Sequence, residues 1–113
     1  MINLLVDEGY AFDYLSILEI KSNKNDNKEL YNHCKENIIS QISLYNFLEI
    51  ELSIEYKELL KANLNTFNLV DAVKSNPCLG MEVDKSNYER FLKKQALQKK
   101  FFGSIGNEIK IGY

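Results

Sequence analysis

The sequence predicts a single all-α domain, a compact four-helix bundle that spans residues 1–113. Apolar residues recur at three- and four-residue steps in four segments, which is the spacing of one helix face. The chain has one proline and five glycines, too few for the many turns of an all-β protein. A hydrophobic content of 45% and a net charge of −2 indicate a globular chain with its own core.

The first helix is predicted from about Asp7 to Ser22, with Asp7 as its N-cap. Its expected core stripe consists of Tyr10, Ala11, Tyr14, Leu15 and Leu18. Phe12 and Ile20 fall outside this stripe, among acidic residues. They predict either a contact surface for a protein partner or residues covered by another helix or by the chain ends. The polar tract SNKNDNK, residues 22–28, predicts a loop.

The second helix is predicted from about Asn27 to Glu49 as one continuous element. Its apolar residues are spaced three or four apart throughout: Leu30, Cys34, Ile38, Ile42, Tyr45 and Leu48. Because Cys34 belongs to this stripe, we expect it to be a small core residue.

Three side chains of this helix, Glu29, His33 and Glu36, are weak candidates for a metal site, because their spacing places them on one face. That face differs from the apolar stripe, whereas cofactor sites in helical bundles point toward the other helices. A di-iron site needs histidines on two helices and a zinc site usually needs several Cys or His ligands, but the chain has one histidine. The sequence therefore favours a solvated helix face and no cofactor.

The third helix is predicted to begin after Ser53, an N-cap with Glu55 in the first turn. Its apolar residues continue through Leu60, Leu64, Phe67, Val70 and Val73. Residues 63–68, NLNTFN, are weak helix formers, so a kink or restart is expected near Thr66. The segment SNPCLG, residues 75–80, ends the helix.

The fourth helix is predicted to begin at Ser86, which has capping-box spacing to Glu89, and to end at Gly103. Its expected core stripe consists of Tyr88, Phe91, Leu92, Ala96 and Phe102. The tail NEIKIGY, residues 107–113, alternates apolar and other residues as strands do. Together with the apolar run at residues 2–6, it predicts a short strand pair formed by the chain ends, or two extended segments packed on the helices.

Charge divides the chain into an acidic part and a basic part. Residues 1–84 carry seven lysines and fourteen acidic residues, and residues 85–113 carry seven basic and two acidic residues. The last helix has a basic arc that also contains Leu97 and Phe101. The basic members of this arc are Arg90, Lys93, Lys94 and Lys100.

Three interpretations of this basic arc remain open. The first is a solvated face that is partly paired with the acidic rest of the protein. The second is a subunit contact that buries Leu97 and Phe101 in a homodimer. The third is a nucleic-acid contact, where lysines neutralise phosphates. Lysine outnumbers arginine in the arc and the isoelectric point is near 5.4, and both observations weaken the nucleic-acid interpretation.

Several function classes are excluded or disfavoured. No apolar run reaches the roughly 18 residues of a membrane span, and residues 1–8 do not resemble a secretion signal. The cysteines, Cys34 and Cys78, form no CxxC pair, which favours reduced thiols and a cytoplasmic location. Cys78 is expected in a loop, with no neighbouring base to activate it. The chain contains no P-loop, GxGxxG, HExxH or GxSxG motif.

The sequence therefore predicts a small non-enzymatic interaction protein, which binds another protein or itself. An accessory, adaptor or inhibitor role in a bacterium or phage fits its small size and its many Asn, Lys and Ile residues. One alternative is a nucleic-acid-associated regulator that uses the basic last helix. A second alternative is a metal-binding or enzymatic helical protein that uses Glu29, His33 and Glu36.

Overall fold

A computed structural model describes residue 2, residues 4–25 and residues 28–103 of the chain. These residues form five α-helices and one 3₁₀ turn: α1 (Glu8–Asn25), α2 (Glu29–Ile42), α3 (Leu44–Glu51), α4 (Ile54–Val73), the turn Pro77–Leu79, and α5 (Gly80–Phe102). The all-α prediction is confirmed, and the described part of the chain contains no strand. The predicted strand pair involves residues 107–113, which lie outside the described residues.

The predicted second helix is two helices, because the chain turns sharply at Ser43. This residue has φ 85° and ψ 156°, a backbone conformation that non-glycine residues rarely adopt. Its hydroxyl accepts a hydrogen bond from the Asn46 backbone N–H at 3.3 Å, so Ser43 is the N-cap of α3. The turn reorients the residues that follow it. Tyr45 and Leu48, expected in the core stripe of one long helix, are consequently exposed.

The last helix begins at Gly80, six residues before the predicted N-cap. Ser86 lies inside α5 and is buried, and its hydroxyl oxygen is 2.5 Å from that of Thr66 in α4. The capping-box prediction is therefore wrong, because this serine satisfies its hydroxyl across a helix contact rather than at a helix end. The predicted restart near Thr66 is also wrong, since α4 is continuous from Ile54 to Val73.

Helix α1 occupies the centre of the fold, in contact with α2, α4 and α5. Phe12 is fully buried, with its ring centroid 5.8 Å from that of Phe47 and 6.1 Å from that of Tyr56. The predicted stripe was wrong in part, because Tyr10 and Tyr14 are about half exposed. Three neighbouring helices bury more of α1 than one narrow stripe. The core cluster consists of Phe12, Leu15, Ile38, Phe47, Ile50, Tyr56, Leu59 and Leu97.

Close contact between α1 and α5 depends on Gly9. A Cβ atom at this position would lie 3.1 Å from both the Cβ of Gln98 and the backbone oxygen of Lys94. Without a side chain, the Gly9 N–H donates a hydrogen bond to Gln98 Oε1 at 2.5 Å. Gln98 Nε2 in turn donates to Glu8 Oε1 at 3.0 Å. The buried glutamine thus joins the first turn of α1 to the last turns of α5.

Candidate functional site

The residues proposed for a metal site, Glu29, His33 and Glu36, are all exposed on α2. Within residues 2, 4–25 and 28–103, no group of three or more His, Cys, Asp or Glu side chains is placed to hold a metal ion. Both cysteines are free: Cys34 packs partly buried against the core and Cys78 is exposed in the 3₁₀ turn. Burial raises the pKa of the Cys34 thiol, which reduces its reactivity at neutral pH.

The basic arc of α5 lies along α1 and α4, and its side chains contact residues of both helices. Arg90 Nη2 lies 3.4 Å from Asp13 Oδ2 in α1. In α4, Glu58 Oε2 lies 2.7 Å from Lys93 Nζ. Further along, Lys100 Nζ lies 3.8 Å from Glu55 Oε2. Lys94 Nζ lies over the ring of Tyr10, 5.2 Å from its centroid, and burial lowers the pKa of this lysine. The basic arc is therefore largely paired with carboxylates of α1 and α4.

The two apolar residues of the arc, Leu97 and Phe101, also point toward the other helices. Leu97 has 0% exposure, and Phe101 packs half-buried against the core cluster. In α1, Phe12 is likewise fully buried and Ile20 is buried. Neighbouring helices cover Leu97, Phe12 and Ile20, so of the two interpretations of Phe12 and Ile20, the one in which another helix covers them agrees with the structure. A partner surface made of these residues would require exposure that this fold does not give them.

The opposite side of α5 carries three of the five residues that were expected in the core, whereas Phe102 packs partly buried against the core cluster. Tyr88, Leu92 and Ala96 are exposed, as are Met81 and two lysines. At about 100° per residue, these side chains share one side of the helix. We define the outer face of α5 as Met81, Lys85, Tyr88, Leu92, Ala96 and Lys99. It is a mixed apolar and basic surface.

A second exposed apolar surface lies on α3 and the start of α4. Its large apolar members have exposed fractions between 40% and 76%. The inner side of α3 carries Phe47 and Ile50, which are buried in the core. Apolar side chains therefore surround much of this eight-residue helix. We define the α3 corner as Leu44, Tyr45, Leu48, Glu49, Leu52 and Ile54.

Sequence reasoning missed the α3 corner because the three- and four-residue spacing of apolar residues continues across Ser43. A signal was nevertheless present in the letters LYNFLEIEL, residues 44–52, which have apolar residues on every side of a helix. Such a pattern is typical of a helix buried all round. Among residues 2, 4–25 and 28–103, the side of α3 that carries Phe47 and Ile50 is the side that other helices cover.

A polar cleft of about 430 Å³ lies among α1, α2, the end of α3 and α4. Tyr56 donates a hydrogen bond from its hydroxyl to Glu19 Oε1 at 3.1 Å. Burial raises the pKa of Glu19, the Tyr56 hydrogen bond lowers it, and the charge of Glu51 raises it, with a net upward shift. Burial, followed by the charges of Glu19 and Glu51, raises the pKa of Tyr31 to about 12. The cleft thus holds a carboxylate that is costly to ionise in the folded protein.

Replacing Glu19 with glutamine is expected to increase stability relative to the wild type as the pH rises above 4.5, the ordinary pKa of the carboxyl. Because folding raises the pKa of Glu19, ionisation in this window destabilises the wild-type fold, whereas glutamine does not ionise. Urea unfolding at pH values from 4 to 8 measures the difference. The matched control is Glu36→Gln at an exposed carboxylate. If the difference in unfolding free energy between Glu19→Gln and wild type were constant across this range, a raised pKa of Glu19 in the folded protein would be contradicted.

Among the described helices, none combines the length and the apolar character that crossing a membrane requires. The chain matches no protein-family model, no curated protein and no solved structure. The candidate functional surfaces are therefore assigned from the chain's own geometry: the α3 corner, the outer face of α5 and the cleft at Glu19.

Proposed function

We propose that this chain is a non-enzymatic protein-interaction protein that associates with itself through the α3 corner. The observation that carries the proposal is the exposure of its five large apolar side chains, three in α3, one at its C-cap Leu52 and one at Ile54, where α4 begins. Large contiguous apolar patches on a protein surface usually mark binding sites. A cytoplasmic location accompanies the proposal, supported by the two free cysteines.

The internal ion pairs support an apolar rather than a charged contact. The pairs of Arg90 with Asp13, Lys93 with Glu58 and Lys100 with Glu55 use the basic arc within one copy of the chain. If an external anion took the place of these carboxylates, the carboxylates would lose their basic partners and remain as unpaired charges. Burial of the α3 corner needs no such exchange, since it removes apolar surface from water.

Light scattering coupled to size exclusion, over a range of protein concentrations, tests the proposal. Wild-type protein is expected to increase in mass with concentration, whereas a Leu48→Glu/Leu52→Glu variant is expected to remain a monomer. Both leucines are exposed, so helix content measured by circular dichroism should be unchanged. Asn68→Glu adds one charge at an exposed position of α4 and is the control for charge alone. A wild-type monomer at every concentration would overturn self-association.

The nucleic-acid alternative stays a prediction with its own test. If it were correct, wild-type protein would be retained on DNA or RNA columns at low salt and released as salt rises. Neutralising Lys93 and Lys100 together would reduce that retention. If the chain instead associates with itself through the α3 corner, we expect no retention of the wild type, because both lysines are already paired with carboxylates.

A further inference from the structure

We infer that the α3 corner of one copy binds the outer face of α5 of a second copy, in a head-to-tail arrangement. This inference rests on the proposed self-association and names the surface that covers the α3 corner. Each copy would then use two different surfaces, so that every molecule in the assembly offers one of each.

The first argument comes from the apolar side chains of the two surfaces. On the outer face of α5, Tyr88, Leu92 and Ala96 are spaced four residues apart and Met81 lies two turns before Tyr88. All four are exposed, although three of them carry the apolar spacing of a core stripe. On the α3 corner, Tyr45, Leu48 and Leu52 have the same three- and four-residue spacing. Each surface is an apolar helix stripe that the described residues of one copy leave exposed.

The second argument is charge complementarity. Glu49 lies on the exposed side of α3, beside the apolar stripe, and α3 contains no basic residue. The outer face of α5 carries Lys85 and Lys99. None of the ion pairs found within the described ranges uses Glu49, Lys85 or Lys99. Opposite charges at the rims of two apolar surfaces favour their pairing and fix its register.

The charge on α5 is not uniform, and its distribution defines the contact more closely. Asp84 and Glu89 lie at the edges of the first half of the outer face, near Lys85. From residue 90 to residue 102 the helix contains no acidic residue. The part of the face around Leu92 and Lys99 is therefore the one that suits the acidic rim of the α3 corner.

A symmetric pairing of two α3 corners fits these observations less well. It would bring Glu49 of one copy toward Glu49 of the other, and like charges at an interface oppose association. It would also leave Tyr88 and Leu92 exposed to water in both copies. A short helix against part of a longer one forms a contact at the small end of the range for specific interfaces. We therefore expect association that depends strongly on concentration.

Mixing two variants, each with one damaged surface, tests the arrangement. The α3 variant is Leu48→Glu/Leu52→Glu, and the α5 variant is Tyr88→Glu/Leu92→Glu. Each should be a monomer alone, because a head-to-tail contact needs both surfaces. In an equimolar mixture, the intact α3 corner of the α5 variant should bind the intact outer face of the α3 variant. The resulting heterodimer should grow no further, because both of its remaining surfaces are damaged. Circular dichroism of each variant checks that the helices are retained.

The outcomes separate the inference from the proposed function. If wild-type protein is a monomer at all concentrations, both are overturned. If the α5 variant assembles as the wild type does, self-association through the α3 corner stands and the head-to-tail contact is overturned. Two monomeric variants that fail to form a heterodimer also overturn it. A charge exchange adds a second readout: Glu49→Lys and Lys99→Glu proteins should each associate less than wild type, whereas a chain carrying both substitutions should regain association.

Discussion

Phe12→Ala is expected to lower the free energy of unfolding by about 3–5 kcal/mol, the usual cost of truncating a buried phenylalanine. The side chain has 0% exposure and its ring packs against those of Phe47 and Tyr56. Truncation would leave a cavity where α1 meets the other helices. Urea unfolding followed by circular dichroism measures the change.

Tyr14→Ala is the control for Phe12→Ala, since Tyr14 lies in the same helix, two residues away, and is about half exposed. We expect a change of no more than about 1 kcal/mol for this exposed position. The opposite ranking of the two variants would contradict the orientation of α1. So would a Phe12→Ala protein that unfolds like the wild type.

A glutamate at position 97 is expected to prevent folding, whereas a glutamate at position 92 of the same helix should be tolerated. Leu97 is fully buried, so Leu97→Glu would place a charge without a partner in the core. An unpaired buried charge costs about 3–5 kcal/mol or more, against a total stability of about 5–15 kcal/mol for a domain. Leu92 is 37% exposed on the outer face of α5, where a carboxylate remains in contact with water.

Thermal unfolding and far-ultraviolet circular dichroism at low protein concentration compare these two variants without a contribution from assembly. Leu92→Glu should keep the helix signal and a cooperative transition. Leu97→Glu should lose the transition or show one at a much lower temperature. If Leu97→Glu folded normally and only its assembly changed, Leu97 would belong to an exposed contact rather than to the core.

The sequence predicted the type of the elements better than the side of each helix that is buried. The case of α5 shows why, because two of its sides carry apolar residues at helical spacing. One side contains Leu97 and Phe101, and the other contains Tyr88 and Leu92. The structure buries the side that contains Leu97, and carboxylates of other helices, Asp13, Glu55 and Glu58, pair with the basic arc beside it. Periodicity within one helix does not contain that information.

The charge division itself was visible in the sequence, and one of its three interpretations described an arc paired with the acidic rest of the protein. The ion pairs of α5 with α1 and α4 are of this kind. The position of the break at Ser43 had no comparable signal. Serine is neither a helix breaker of the proline type nor the residue usually found at positive φ. The two helices that this turn joins both contribute to the core, α2 through Ile38 and α3 through Phe47 and Ile50.

The hydrogen bond from Gly9 to Gln98 can form only late in the synthesis of the described residues. It joins residues 89 positions apart, and the Gln98–Glu8 bond joins residues 90 positions apart. On the ribosome, α1 is synthesised before α5, yet the two helices pack against each other in the finished fold. Until α5 emerges, Phe12 and Leu15 lack Leu97 as a neighbour in the core cluster. The core around α1 is therefore completed only after α5 has left the ribosome, and apolar side chains of α1 lack part of their cover until then.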